Sequence, residues 1–148
     1  MTTTMNRLPV STWNPLGVNC APASAALPTV PADGWAKAEP LCPALPAGVT
    51  APAEADFTNF AASGMGAEAD AWLLENANLV NHLAVTGTAD APVVFETALD
   101  ADHPHALTCL TIDAAEGSSL TVVQVVRGDA ENGVSANLTC IRAAEGAH

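Results

Sequence analysis

Positive charge is what this chain most lacks. Lys and Arg number 4 against 16 Asp and Glu, giving a formal net charge of −12. The basic residues are Arg7, Lys37, Arg127 and Arg142. Nucleic-acid affinity rests on Lys and Arg neutralising phosphates, so the balance argues against a nucleic-acid partner. The same repulsion disfavours anionic membrane surfaces. No run approaches the ~20 apolar residues of a membrane-spanning helix. The opening MTTTMNRLPVSTWNPLG has no apolar stretch of the secretory-signal kind. These absences point to a cytoplasmic protein whose Cys20, Cys42, Cys109 and Cys140 are reduced. None of the four stands in a C-x-x-C pair, which leaves no zinc or thioredoxin-type motif. The Asn137-Leu138-Thr139 sequon is idle in that compartment.

Aromatic residues are also few, and none follows Phe95. Charged residues make up 14% of the chain and apolar ones 49%, which describes a globular chain rather than a disordered one. At 148 residues it is one domain or a piece of one. Much of the apolar fraction is alanine, so the core is thinner than the percentage suggests.

What the chain does have is a patterned last third, Pro92 to His148. The runs PVVFETAL, HALTCLTI, SLTVVQVV and SANLTCIR are separated by acidic, glycine-containing turns. Thr, Val, Ile and Leu dominate them, as strands require. The AAEG of 114–117 returns at 143–146, an offset of 29. Repetition at such a period marks stacked coils, each burying its apolar face against the next. A core of Val, Leu, Ile, Thr, Ala and Cys suits a narrow interior such as a flattened β-solenoid.

Three segments precede or make up this pattern. Residues 1–52 hold nine of the 11 prolines and read as an extended arm anchored by Trp13 and Trp35. Residues 53–80 read as a short helical cap. Phe57, Phe60 and Ala61 fall at helical spacing over 52–63, and Gly64 and Gly66 break that helix. A second helix is predicted over 67–80, with Ala69, Trp72, Leu73 and Val80 on one face, covering the first coil. Residues 81–148 read as the core. From Leu79 the spacing alternates, with Leu79, Asn81, Leu83 and Val85 opposite Val80, His82 and Ala84.

The opening NRLPVSTWNPLGVN (6–19) resembles the N-terminal segment of SufD-type proteins. DAPVVFETAL, LTCLTIDAAEGSSLTVVQVV and NLTCIRAAEGA resemble, in order and spacing, the beginning of the SufB/SufD core domain. GMGAEAD (64–70) sits where such proteins carry a short helical segment. The resemblance implies a mostly β chain that begins a right-handed parallel β-helix. It also implies a non-enzymatic scaffold subunit that works with a SufB-like subunit and a SufC-like ATPase. In that family the complex assembles an iron–sulfur cluster, while the cysteine and histidine implicated lie in the C-terminal part of the helix and the SufC-binding helices beyond it. No position here matches them. No catalytic, cofactor or metal residue is therefore assigned, and the chain is expected to be the N-terminal portion of such a protein. Self-association through the open end of the stack is expected.

Other residues invite chemistry. Cys109 and Cys140 occupy the repeated LTC at an offset of 31. Stacked in that register, their thiols would lie on neighbouring coils about 5 Å apart, suited to a cluster. The competing reading is two small buried hydrophobes. Cys20 and Cys42, on the arm, read as incidental. His103-Pro104-His105 suggests the alternative function, a small cupin-like metal-binding β-barrel. That pattern wants a glutamate four or five residues later, where Cys109 and Leu110 stand instead. Two turn histidines flanked by Asp100 and Asp102 fit better. His82 reads as packed or edge-exposed, His148 as a disordered end, and Glu116 and Glu145 as solvated turn carboxylates. No Ser/His/Asp order, phosphate-binding glycine loop or nucleotide motif is present.

Overall fold

The computed structural model describes residues 4–5, 21–22, 27, 29–36, 38–40, 44–53, 67–128 and 130–148. Outside them lie the 6–19 segment with Trp13, Cys20 and Cys42, and the helix expected over 52–63 apart from Pro52 and Ala53, which are not helical. The described structure is mostly β. Its elements are β1 (Thr4–Met5), β2 (Ala21–Pro22), β3 (Ala38–Pro40), β4 (Val49–Thr50), α1 (Ala67–Asn76), β5 (Leu79–Val85), β6 (Val93–Leu99), β7 (His105–Ala114), β8 (Val122–Gly128) and β9 (Val134–Ala143).

Strands β1 and β2 form a small antiparallel pair. The rest make a three-stranded sheet, β3-β6-β8, and a four-stranded sheet, β4-β5-β7-β9. From β5 onward the chain alternates between the two sheets. The pairs β5/β7, β6/β8 and β7/β9 are parallel. Strands β3 and β4 pair antiparallel and are the first strands of their sheets, so part of the proline-rich 1–52 region is built into the body. Proline is tolerated in such an edge strand because it has no amide to donate.

One number runs through the parallel pairs. Leu79 faces Thr108, Val93 faces Val122 and His105 faces Val134, an offset of 29 each time. The AAEG spacing is therefore the pairing register of both sheets. The LTC spacing is not: Cys109 faces Leu138, and Cys140 faces Thr111. An offset of 31 does occur once, at the Thr88–Ser119 bridge. The turn before Ser119 holds two more residues than the turn before Thr88, and the segment leading to β8 is two shorter, which restores the register. The longer turn contains Glu116-Gly117, with Gly117 at φ 65 and its repeat Gly146 at φ 69. Glycine adopts that left-handed conformation without steric cost.

Alternate residues of a strand point to opposite faces. Val49, Leu83, Val85, Leu110 and Ile112 of the four-stranded sheet pack against Val93 and Phe95 of the other, filling the space between them. On the outer face of the four-stranded sheet, Leu73 of α1 packs with Leu107, Cys109 and Leu138, and Trp72 and Trp35 flank the cluster. The helix thus covers one side, but it ends at Asn76, before the predicted limit of 80. Asn78 explains the stop. Its amide donates to Leu107 O (3.0 Å), its Oδ1 accepts from Leu107 N (2.8 Å), and its Nδ2 donates to Ala36 O (3.1 Å). The chain is already paired as a strand there, so Val80 lies on β5, half exposed, rather than on the apolar helix face. The described strands close no barrel.

Candidate functional site

A set of hydrogen-bonded polar side chains lies on the outer face of the four-stranded sheet, beyond the area that α1 covers. The shared register of the parallel pairs lines up Ala84, Asp113 and Arg142 across β5, β7 and β9. The row beside it is His82, Thr111 and Cys140. Asp113 therefore sits centrally, with a neighbour strand on either side. Its Oδ2 lies 2.8 Å from His82 Nε2. Arg142 donates from Nε to Oδ1 and from Nη2 to Oδ2 at 3.0 Å. The planar guanidinium matches the carboxylate fork, which gives the strongest form of such a pair.

Partial burial alone would push the Asp113 carboxyl up. The hydrogen bonds and charges of Arg142 and His82 outweigh it, and the net shift is below the usual carboxylate range. A depression of ≈ 440 Å³ beside the row is walled by Asp113 and Arg142 and lined with alanines, including Ala84, Ala114 and Ala143. Thr111 is fully buried, and its Oγ1 has no hydrogen-bond partner among the described residues. Cys140 is partly buried on the same face. The arrangement fastens three successive strands through one carboxylate. It offers no nucleophile paired with a base.

Of the residues singled out by sequence, His82 and Cys140 lie at this site and the others fall elsewhere. Cys109 and Cys140 are not stacked, because the two extra residues between their LTC elements slide the thiols out of the pairing register. Cys109 lies under α1, where desolvation pushes its thiol up to about 11. It is a buried hydrophobe, as one reading expected, but on the outer face of the sheet. His103 is exposed, with Nδ1 3.2 Å from Asp100 Oδ1. Asp100 shapes that turn by accepting the amides of His103 (2.7 Å) and Asp102 (2.9 Å). The His103 amide bond is the chief reason its carboxyl is lowered.

His105 does separate work. Its Nδ1 accepts the Val134 amide at 3.1 Å, which places the neutral ring's proton on Nε2. The ring meets Trp35 edge-on, with centroids 6.0 Å apart. Among the described residues, no group of three His, Cys, Asp or Glu side chains is placed to hold a metal ion. Glu116 and Glu145 are exposed turn residues, and Gly117 N donates to Glu145 O at 3.0 Å. His148 is paired rather than loose: its amide donates to Ser118 O and its carbonyl accepts from Leu120 N, both at 2.9 Å.

Asp113 and Arg142 were not candidates on sequence. The signal was present, since the two positions are separated by the same interval as the two AAEG turns. Sequence reading marked His82 as packed or edge-exposed; its bond to Asp113 depends on a contact across two rows. No helix among the described residues is long and apolar enough to cross a membrane. The chain matches no protein-family model, no curated protein and no solved structure.

Proposed function

We propose that this chain is the beginning of a right-handed parallel β-helix of the SufB/SufD type, and that it serves as a scaffold subunit in iron–sulfur cluster assembly. The observation that carries the reading is the one register common to both sheets, with the chain passing from one sheet to the other at each strand. Such a shared register is what stacked coils, each supporting the next, would require, and it supports the reading. The segments that resemble the family fall on it in order: DAPVVFETAL spans β6, LTCLTIDAAEGSSLTVVQVV spans most of β7 and β8, and NLTCIRAAEGA spans the end of β9. The Asp113 ladder supports a structural role, because it ties coils together and presents no reacting group.

On this reading the protein is cytoplasmic and not an enzyme. Its partners are a SufB-like subunit and a SufC-like ATPase, and the cluster belongs to the assembled complex. The cupin-like alternative draws no support from His103 and His105, whose rings are engaged separately. Co-expression with SufB-like and SufC-like subunits tests the proposal. Co-purification in a complex that accumulates an iron–sulfur cluster is expected. A chain that stays apart from both subunits, where a SufD control binds them, would remove the scaffold reading.

A further inference from the structure

The turn between β8 and β9 carries the one Asn-Gly pair in the sequence, Asn132-Gly133. The fold selects both residues. Asn132 has a φ of 59, in the left-handed region that asparagine tolerates better than most side chains. A Cβ on Gly133 would collide with the Pro104 carbonyl oxygen, so packing on the preceding repeat admits no side chain there. The pair is also open to solvent. Asn132 stands two residues before Val134, as His103 stands two before His105, the residue that Val134 faces. The His103 side chain is 53% exposed although Gly133 of the next repeat lies against its neighbour Pro104. Exposure at this place in the repeat therefore survives a further layer of chain. Among the described residues, no hydrogen bond holds the Asn132 side-chain amide. The amides of Asn76, Asn78 and Asn137 are engaged, donating to Trp72 O, Ala36 O and Thr108 Oγ1.

We infer that Asn132 is a self-modification site, where the folded chain deamidates and the start of β9 loosens as a result. The Gly133 amide nitrogen gives up its proton to base and attacks Asn132 Cγ. The new C–N bond closes a five-membered succinimide, the bond from Cγ to the side-chain nitrogen breaks, and ammonia leaves. Water then adds at one of the two ring carbonyls. Opening on one side gives aspartate; opening on the other gives isoaspartate, with the main chain running through the former side chain. Water and base are the only co-reactants. Isoaspartate adds a carbon to the backbone immediately before Gly133, which is fitted against Pro104. The next amide along, that of Val134, donates to His105 Nδ1, and the same ring meets Trp35. Modification therefore acts on the join between β9 and β7. This inference does not rest on the scaffold reading.

Ageing the full chain in mildly alkaline buffer, with peptide masses read over time, tests it. Conversion at Asn132 should run at least about tenfold faster than at any other asparagine, because a glycine amide brings no side chain against the closing ring. It should quicken as pH rises, since the attacking nitrogen must be deprotonated. Asn132→Gly keeps the left-handed φ and removes the reacting carbonyl, so this variant should keep its Tm and form no new acidic species on that timescale. Hydrogen exchange over 130–136 should quicken in the aged native chain, while exchange over β6 stays unchanged. If the turn had to unfold before reacting, conversion would lag the free 128–136 peptide by more than about a hundredfold, and that result would overturn the inference. So would an aged chain in which another asparagine converts first, or one in which full conversion leaves exchange over 130–136 as it was.

Discussion

Leu83, Ile112 and Ile141 occupy one row across β5, β7 and β9, and they meet three different fates. Leu83 is 1% exposed, Ile112 8% and Ile141 64%. The residues are nearly interchangeable in size and chemistry. What differs is the opposing sheet: Val93 and Phe95 of β6 help to bury the first two, while the third lies on β9, the last described strand of its sheet. Burial here is thus set by position in the sheet, and the row gives a controlled comparison within one molecule.

The largest expected effect breaks that comparison directly. Leu83→Ala removes a fully packed side chain and should cost about 2–5 kcal/mol. Ile141→Ala should stay within about 0.5 kcal/mol. Urea unfolding of the two variants decides. Equal losses would mean that the β9 edge of the sheet is as closed as its middle.

Next in size is a test of how closely successive repeats approach. A Cβ on Gly133 would collide with the Pro104 carbonyl oxygen, and one on Gly128 would lie 2.6 Å from both Cβ and O of Leu99. Backbone cannot yield there as a flexible side chain would, so Gly133→Ala should cost about 1–3 kcal/mol. Gly117→Ala meets open space and carries only the strain of its φ of 65, about 1 kcal/mol. Thermal unfolding of both variants checks the order. A harmless Gly133→Ala would mean that Gly133 is not held against the Pro104 carbonyl.

These examples show what could be read from residues alone. AAEG repeats at the true register because its glycine needs a left-handed φ at the same place in each repeat, so both spacing and composition are constrained. LTC repeats at a misleading offset because strand residues are drawn from a small set and coincide by chance; only the pairing reveals that Cys140 faces Thr111. The strand start at Leu79 was visible in the alternation. The helix end at Asn76 was not, since it is set by the bond between Asn78 and Leu107, a contact from the next repeat. The Asp113 ladder was hidden for the same reason. It joins residues from three strands, and its members look like isolated surface charges until the register is known.

A smaller effect concerns that ladder. Partial desolvation would raise the Asp113 carboxyl, but Arg142 and then His82 outweigh it and leave it lowered in the folded chain. A lowered folded value means that the carboxylate contributes stability above its unfolded pKa, about 3.9, and loses it as pH falls through the lower folded value. The site is about one-third exposed, so solvent screening keeps the contribution to about 1 kcal/mol or less. Asp113→Asn should therefore be less stable than the native chain at neutral pH, and the gap should close below pH ~4. A gap unchanged down to pH ~2 would show that the loss comes from packing rather than charge.

The last contrast involves no change in stability. Cys109 and Cys140 share the outer face of the sheet, but α1 packs over the first, while the second lies in the uncovered row beside Asp113 and Arg142. The thiolate is the species that reacts with alkylating reagents. Burial raises the Cys109 thiol to about 11, so almost none is ionised near neutral pH, and the reagent must also pass the helix. Cys140 should be modified at least about tenfold faster, read as peptide masses over time. The rate at Cys109 then reports how often α1 lifts from the sheet. If Cys109 reacted as fast as Cys140, the helix would not be a lasting cover, and the division of this face into a covered and an open region would fail.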